Sequence, residues 1–207
     1  MICGVVLAAG CSRRMGVQKL LLPFDGKTVI AHVVDQLVTS CIDRVYVIVG
    51  YKGKRIGQEL SDQPVSIVHN SNYKSGMLSS VRCGLGAIPQ QCQAVLVALG
   101  DQPSITAKLI DQMLQSFTDV EKRILVPVHH GKRGHPILFS VRYRDEILTH
   151  YDNVGLRGLL YAHRDDVFEL TVSTSAVLSD MDYPEDYRRQ LASLEENSRK
   201  KLGWQTE

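Results

Sequence analysis

Five short runs rich in Val, Ile, Leu and Ala recur along this chain: Ile2–Ala8, Arg44–Val49, Val65–His69, Ala94–Leu99 and Ile124–Val128. Each has the length of a β-strand, and each reads as apolar enough to be buried on both faces. Between them lie segments with helical periodicity: Thr28–Val38, Lys54–Leu60, Leu78–Ile88 and Thr106–Phe117. A strand that is always followed by a helix returns the chain to the same sheet edge, so the strands must run mainly parallel. Right-handed crossovers then put helices on both faces. The expected fold class is α/β: a three-layer α/β/α sandwich with a Rossmann-like, mainly parallel sheet. Gly134–Ser140 reads as a further strand, antiparallel to Ile124–Val128 across a turn at His129–Arg133, which adds a small antiparallel part.

The 207 residues suffice for one domain, 1–207, with a core from about residue 2 to 191 and a polar tail after Leu202. Pro184-Glu185-Asp186 places a proline and two acids at the start of a last helix, which ends in Arg199-Lys200-Lys201. With 24 basic and 22 acidic residues the net charge is only +2, which argues against a general nucleic-acid binder. No stretch approaches the roughly 20 apolar residues of a membrane span. Five cysteines without a CxxC pair suggest neither a zinc site nor a disulfide framework. The expected setting is the cytoplasm, with neither nucleic acid nor membrane as a partner.

In open α/β sheets, ligands bind beyond the carboxyl ends of the strands. Four places in this chain lie there: the loop after Ala8, the loop after His69, Gly100-Asp101-Gln102-Pro103, and the segment around Asp180–Tyr183. The first loop gathers Gly10, Arg13, Arg14, Gly16 and Lys19, which suits a polyphosphate, although a surface loop with solvated cations fits the same spacing. It matches neither the P-loop nor GxGxxG. Asp101, on a turn stiffened by Pro103, could hold Mg²⁺ or shape the turn. Asp180 and Asp182 alternate as strand residues do, so Asp182 could face Asp101 across a metal site or cap the last helix. Gly76, Ser79 and Ser80 open a helix that suits a base, a ribose or a phosphate. Alternatively it is an ordinary helix capped by Ser75 or Ser79.

Taken together and in order, LAAGxSxRMGxxK, SGMLSS, LGDQP, GHP and DMDYPEDY resemble the nucleotidyltransferases of the molybdenum cofactor, over nearly the whole chain from Val5 to about Leu191. AAG and LGDQP point to the cytidylyltransferase branch rather than the guanylyltransferase one. The resemblance implies that Leu7, Ala8, Ala9 and Gly10 meet the nucleotide and help choose its base. Arg13, Arg14 and Lys19 would bind the triphosphate, and Gly76, Ser79 and Ser80 would lie near base and ribose. Asp101 and Asp182 would ligate Mg²⁺, with Mn²⁺ as an alternative. Lys19, Asp101 and Arg13 would carry catalysis. Gly134, His135, Pro136, Gly155 and Arg157 would meet the acceptor pterin, with a structural role for His135 left open. The chain departs from the family pattern at Tyr183, where a small hydroxyl is usual, and at Tyr151, where a glycine is usual.

The implied reaction is transfer of CMP from CTP to the phosphate of molybdopterin or the molybdenum cofactor, releasing pyrophosphate. It would serve the maturation of molybdenum hydroxylases of the xanthine dehydrogenase type, through transient contact with the hydroxylase or its chaperone. A phosphate monoester is already ionised near neutral pH, so such a reaction needs positioning and charge neutralisation more than a strong base. The rival readings are a guanylyltransferase, a sugar- or isoprenoid-phosphate nucleotidyltransferase, and a cofactor-insertion chaperone.

Overall fold

A computed structural model describes residues 1–201; the tail expected after Leu202 lies outside the described residues. The first strand, β1 (Ile2–Ala8), leads through two short 3-10 turns to a two-residue hairpin, β2 (Pro23–Phe24) and β3 (Lys27–Thr28), and then to α1 (Val29–Thr39). The next elements are β4 (Arg44–Val49), α2 (Gly53–Glu59), β5 (Val65–His69), α3 (Met77–Ala87), β6 (Ala94–Leu99) and α4 (Ala107–Asp119). The chain continues through β7 (Ile124–His129), β8 (Lys132–Arg133), β9 (Ile137–Ser140), α5 (Arg144–Thr149), α6 (Leu156–Ala162), β10 (Val167–Thr171) and α7 (Pro184–Lys201).

The sheet order is β10-β7-β9-β6-β1-β4-β5, with β8 paired to β7. β1 runs parallel to both β4 and β6, β4 to β5, and β7 to β10; β9 is antiparallel to its neighbours β6 and β7. The expected antiparallel strand is therefore present, but it begins at Ile137 rather than Gly134. Strand order reverses at β1: the chain first builds outward through β4 and β5, then crosses back to lay β6 on the other side. That reversal opens a crevice beyond the carboxyl ends of β1 and β6.

Alternation along the strands feeds two cores. Val6, Ala8, Val47, Val49, Leu96 and Ala98 face one side with α1 and α4, whereas Cys3, Val5, Tyr46, Ile48, Val95 and Val97 face α3, α5 and α6. Burial of both faces explains why β1, β4 and β6 read as continuous apolar runs. β5 does not follow this expectation. Ser66, Ile67 and His69 are exposed, because β5 is the sheet's edge and pairs with β4 alone. Two helix starts are capped by side chains in the usual way: Thr28 accepts from the Ala31 N–H and Thr106 from the Leu109 N–H. Among the described residues no helix is long and apolar enough to cross a membrane.

Candidate active site

The carboxyl ends of β1 and β6 are joined where the Gly100 N–H donates to the Leu7 carbonyl at 3.0 Å. Above this floor lies a cavity of about 340 Å³. Leu7, Ala9 and Gly10 reach it from the first loop, Gly76 and Ser80 from the start of α3, and Asp101 from the β6 turn. Lys19, Asp180 and Asp182 close one side. A second cavity of about 440 Å³ adjoins it and takes in Arg13, Arg14 and Lys74. The four loops singled out from the sequence thus converge on one place.

Not every expected residue faces it. The Ala8 side chain is fully buried in the α1–α4 core, because the strand alternation that sends Leu7 and Ala9 one way sends Ala8 the other. Ser79 lies off the cavity-facing line of Gly76, Met77 and Ser80 and braces the preceding turn: its hydroxyl donates to the Asn72 and Gly76 carbonyls. Neither Ser75 nor Ser79 caps α3. The N-cap is Gly76 at φ 101° and ψ 179°, a conformation open essentially to glycine alone, and no side chain makes a capping hydrogen bond there. That leaves the helix N-terminus available to a polar or anionic ligand.

Asp182 does not cap α7. Its carboxylate turns into the site, while Asp186 performs the capping by accepting from the Tyr183 N–H at 2.9 Å and the Asp182 N–H at 3.2 Å. Asp180 and Asp182 share the cavity, though not as strand residues: they lie in an irregular segment after the 3-10 turn Ser175–Leu178. The Lys19 ammonium bonds the Asp101 carboxylate and lies 3.2 Å from Asp182, and Arg14 bonds Asp182 at 2.6 Å. Lys19 and Asp101 are largely enclosed, with side chains only 13% and 15% exposed. Burial disfavours the ammonium, but the charges and hydrogen bonds of Asp101 and Asp182 outweigh it and hold the Lys19 pKa above its ordinary value. Asp180 is pushed upward by burial and by the nearby Asp101 charge.

Apart from Ser80, already marked in the SGMLSS segment, sequence reasoning missed the residues that hold these loops in place. Gln18, Asn70, Ser80, Gln102 and Gln190 make up the buried polar side chains named among the described residues, and four of them brace the cavity walls. The Gln18 amide donates to the Gly10 and Tyr51 carbonyls and accepts from the Ser12 hydroxyl at 2.5 Å. Asn70 donates to both Ser79 and Ser80. Gln102 donates to Asp180 at 2.6 Å, tying the Asp101 turn to the Asp180–Asp182 segment. An isolated Gln or Asn in a loop has no periodic signature; only the neighbouring motif residues marked these positions.

None of the expected acceptor residues lines either cavity. The His135 N–H donates to the Val177 carbonyl at 2.9 Å, and a Cβ on Gly134 would sit 2.2 Å from that same oxygen. The GHP segment therefore packs directly against the strand of chain leading to Asp180. Burial pushes the His135 pKa down; Asp101 opposes that shift and Arg157 reinforces it, so His135 lies within the field of both. Gly155 precedes α6, which carries Arg157. Tyr151, which stands where the family pattern has glycine, keeps a positive φ of 78°. Its hydroxyl donates to Glu146, and its ring packs so close to Gly158 that a Cβ there would clash at 2.2 Å.

Asp101 and Asp182 place carboxylate oxygens on either side of the Lys19 ammonium, and such hard oxygen donors could hold a divalent cation. Among the described residues no three His, Cys, Asp or Glu side chains form a metal cage.

Residues 4–167 match the family described as the MobA-like NTP transferase domain. The chain is 26% identical over 184 residues to the molybdenum cofactor cytidylyltransferase of Escherichia coli strain K12, covering 88% of this chain and 92% of that one. It is 28% identical over 154 residues to the nicotine blue oxidoreductase of Paenarthrobacter nicotinovorans, covering 72% of this chain and 75% of the relative. The crystal structure of Rv0371c from Mycobacterium tuberculosis H37Rv superimposes with a TM-score of 0.83 at 27% identity, over 92% of this chain and 97% of that one. The same mycobacterial protein has also been crystallised as a manganese complex, which superimposes with a TM-score of 0.79 at 26% identity, over 93% of this chain and 98% of that one.

Proposed function

The chain belongs to the MobA-like NTP transferase family, and from that premise we propose that it transfers CMP from CTP to the terminal phosphate of molybdopterin or the molybdenum cofactor. The observation that carries this reading is the Lys19 ammonium held between Asp101 and Asp182 in the crevice beyond β1 and β6. A site that neutralises two carboxylates with a lysine and an arginine is prepared to exchange those cations for a metal–polyphosphate complex.

In this reading Leu7, Ala9, Gly10, Gly76 and Ser80 receive the nucleoside, and Arg13, Arg14 and Lys19 receive the phosphates. Asp101 and Asp182 would hold Mg²⁺ or Mn²⁺, which when bound neutralises phosphate charge and polarises the α-phosphate. An oxygen of the acceptor phosphate attacks the α-phosphorus, and pyrophosphate departs with the electron pair of the broken bond. Lys19 stabilises the charge that builds on the α-phosphate, and Arg13 and Arg14 hold the leaving group. Gln18 holds the first loop to Tyr51, and Gln102 holds the Asp101 turn to the Asp180 segment. The GHP segment, where burial disfavours the charged form of His135, and the Gly155–Arg157 helix start would meet the acceptor. The whole chain acts as one catalytic domain in the cytoplasm and passes its product on through transient contact with a recipient hydroxylase or its chaperone.

The test is pyrophosphate release from CTP and GTP in parallel, with Mg²⁺ and with molybdopterin or its molybdenum form as acceptor. Acceptor-dependent release from CTP supports the reading. Release from GTP moves the protein to the guanylyl branch, and release only with sugar or isoprenoid phosphates replaces the acceptor. No release with any nucleotide, alongside co-purification with a hydroxylase, favours an insertion chaperone. Asp101→Ala is expected to lose at least ~100-fold in rate with the fold intact; a wild-type rate removes Asp101 from the chemistry.

A further inference from the structure

Four cations line the cavity of about 440 Å³ beside the nucleoside crevice: Arg13, Arg14, Lys19 and Lys74. Two of them are already engaged, Arg14 by Asp182 and Lys19 by Asp101 and Asp182. Among the described residues, Arg13 and Lys74 form no ion pair with a carboxylate. They also come from two different loops. Arg13 belongs to the loop after β1, whereas Lys74 sits on the 3-10 turn Tyr73–Ser75 between β5 and α3. The cations without a carboxylate partner are therefore supplied to this cavity by two separate loops.

The turn that carries Lys74 is held firmly. Asn70 accepts from the Asn72 N–H at 2.9 Å, Ser75 donates to Asn72 at 2.7 Å, and Ser79 donates to the Asn72 carbonyl at 3.0 Å. Tyr73 presses onto Gly50 so closely that a Cβ there would lie 2.6 Å from the tyrosine. Lys74 is exposed, and these contacts fix the backbone from which its side chain extends. A lysine that must meet an anion at a set distance from Arg13 gains from that support, because less freedom is lost on binding.

We propose that Lys74 is a phosphate-binding residue that, with Arg13, clamps the β- and γ-phosphates of the nucleoside triphosphate from a second loop. The role rests on the nucleotidyl-transfer reading and extends it to a residue outside the LAAGxSxRMGxxK motif. When the bond between the α-phosphorus and its bridging oxygen breaks, the electron pair stays on pyrophosphate. The Lys74 ammonium donates hydrogen bonds to that product without transferring a proton.

The experiment is calorimetric binding of CTP, CMP and inorganic tripolyphosphate to the wild type, Lys74→Met and Lys74→Arg, with Mg²⁺ present. Lys74→Met is expected to weaken CTP and tripolyphosphate about tenfold and leave CMP unchanged, and Lys74→Arg to restore most of the loss. Equal weakening of all three ligands means that Lys74 only shapes its turn, and no weakening of any means that it does not touch phosphate; either result overturns the proposal. Tripolyphosphate keeps the two readings separable. If Lys74→Met weakens it in a protein that lacks nucleotidyl transfer, the phosphate clamp stands and the transfer reading fails. If transfer occurs and tripolyphosphate binding is untouched by the substitution, the clamp alone fails.

Discussion

Replacing Lys19 by Met removes the ammonium that compensates two carboxylates in the resting site while keeping much of the side chain's apolar stem. Lys19 and Asp101 are 13% and 15% exposed, so their attraction is only partly screened. At an effective dielectric of about 20, unit charges roughly 4 Å apart interact by about 4 kcal/mol. Asp182 is 45% exposed, so its 3.2 Å pair with Lys19 is discounted to about 1 kcal/mol or less. Water entering the space vacated by the ammonium returns part of the Asp101 term. The expected loss of unfolding free energy in EDTA is therefore about 2–4 kcal/mol, in line with breaking a largely buried pair. A divalent cation should reverse it. In the wild type, metal must displace Lys19 from Asp101 and Asp182; in Lys19→Met it meets two uncompensated carboxylates. Mn²⁺ should accordingly bind the variant at least about tenfold more tightly than the wild type in the absence of nucleotide, and metal at 100 times its Kd should restore about 2.7 kcal/mol. Urea unfolding in EDTA and in excess Mn²⁺ measures the first quantity, and the electron paramagnetic resonance signal of free Mn²⁺ measures the second. If the variant binds Mn²⁺ no more tightly than the wild type and unfolds identically with and without it, Lys19 is not occupying the cation position and the exchange argument is wrong.

Three further outcomes can be checked independently. Gly134→Ala puts a methyl 2.2 Å from the Val177 carbonyl oxygen, so the segment leading to Asp180 must shift; a loss of about 1–3 kcal/mol in urea unfolding is expected, and an unchanged midpoint contradicts the close packing. Gln102→Leu leaves Asp180 without its 2.6 Å donor inside the site and should lower stability by about 1–3 kcal/mol and weaken Mn²⁺ binding, read by the same two assays. Tyr151 has its pKa pushed up to about 12, first by burial and then by the Glu146 carboxylate it bonds. Above pH 10 the unfolded chain releases this proton while the folded one keeps it, so wild-type stability should fall as pH rises from 10 towards 12. Tyr151→Phe should show a shallower fall across that window, and identical slopes for the two proteins would remove Tyr151 as its source.

Much of the architecture was legible because it depends on local period. β1, β4 and β6 are buried on both faces and announce themselves as unbroken apolar runs; α4 shows its core face as Leu109, Ile110, Met113, Leu114 and Phe117. Elements without that contrast escaped. β2 and β3 are two residues long, α5 and α6 are six and seven, and β10 is only partly buried at its far edge. β5 was found, but its exposure was misjudged, since being an edge strand is a property of sheet order and not of the five residues themselves. Within the site, the glycines, cations and aspartates could be marked for the loops they occupy. The amides of Gln18, Asn70 and Gln102 could not.

What the chain's own order of residues determined is the alternation of strand and helix, and with it the single sheet edge at which every strand–helix loop must emerge. That places Gly10, Lys19, Gly76, Asp101 and Asp182 on one rim. Which of them touch was decided only in three dimensions. Lys19 meets a carboxylate 82 residues away, and Arg14 meets one 168 residues away. Asp182 was free to meet them only because Asp186 had taken over the helix cap. Periodicity and capping preferences act over a few residues, whereas these pairings are set by the crossover that returns the chain to β1's other side and by the burial that forces each charge to find a partner.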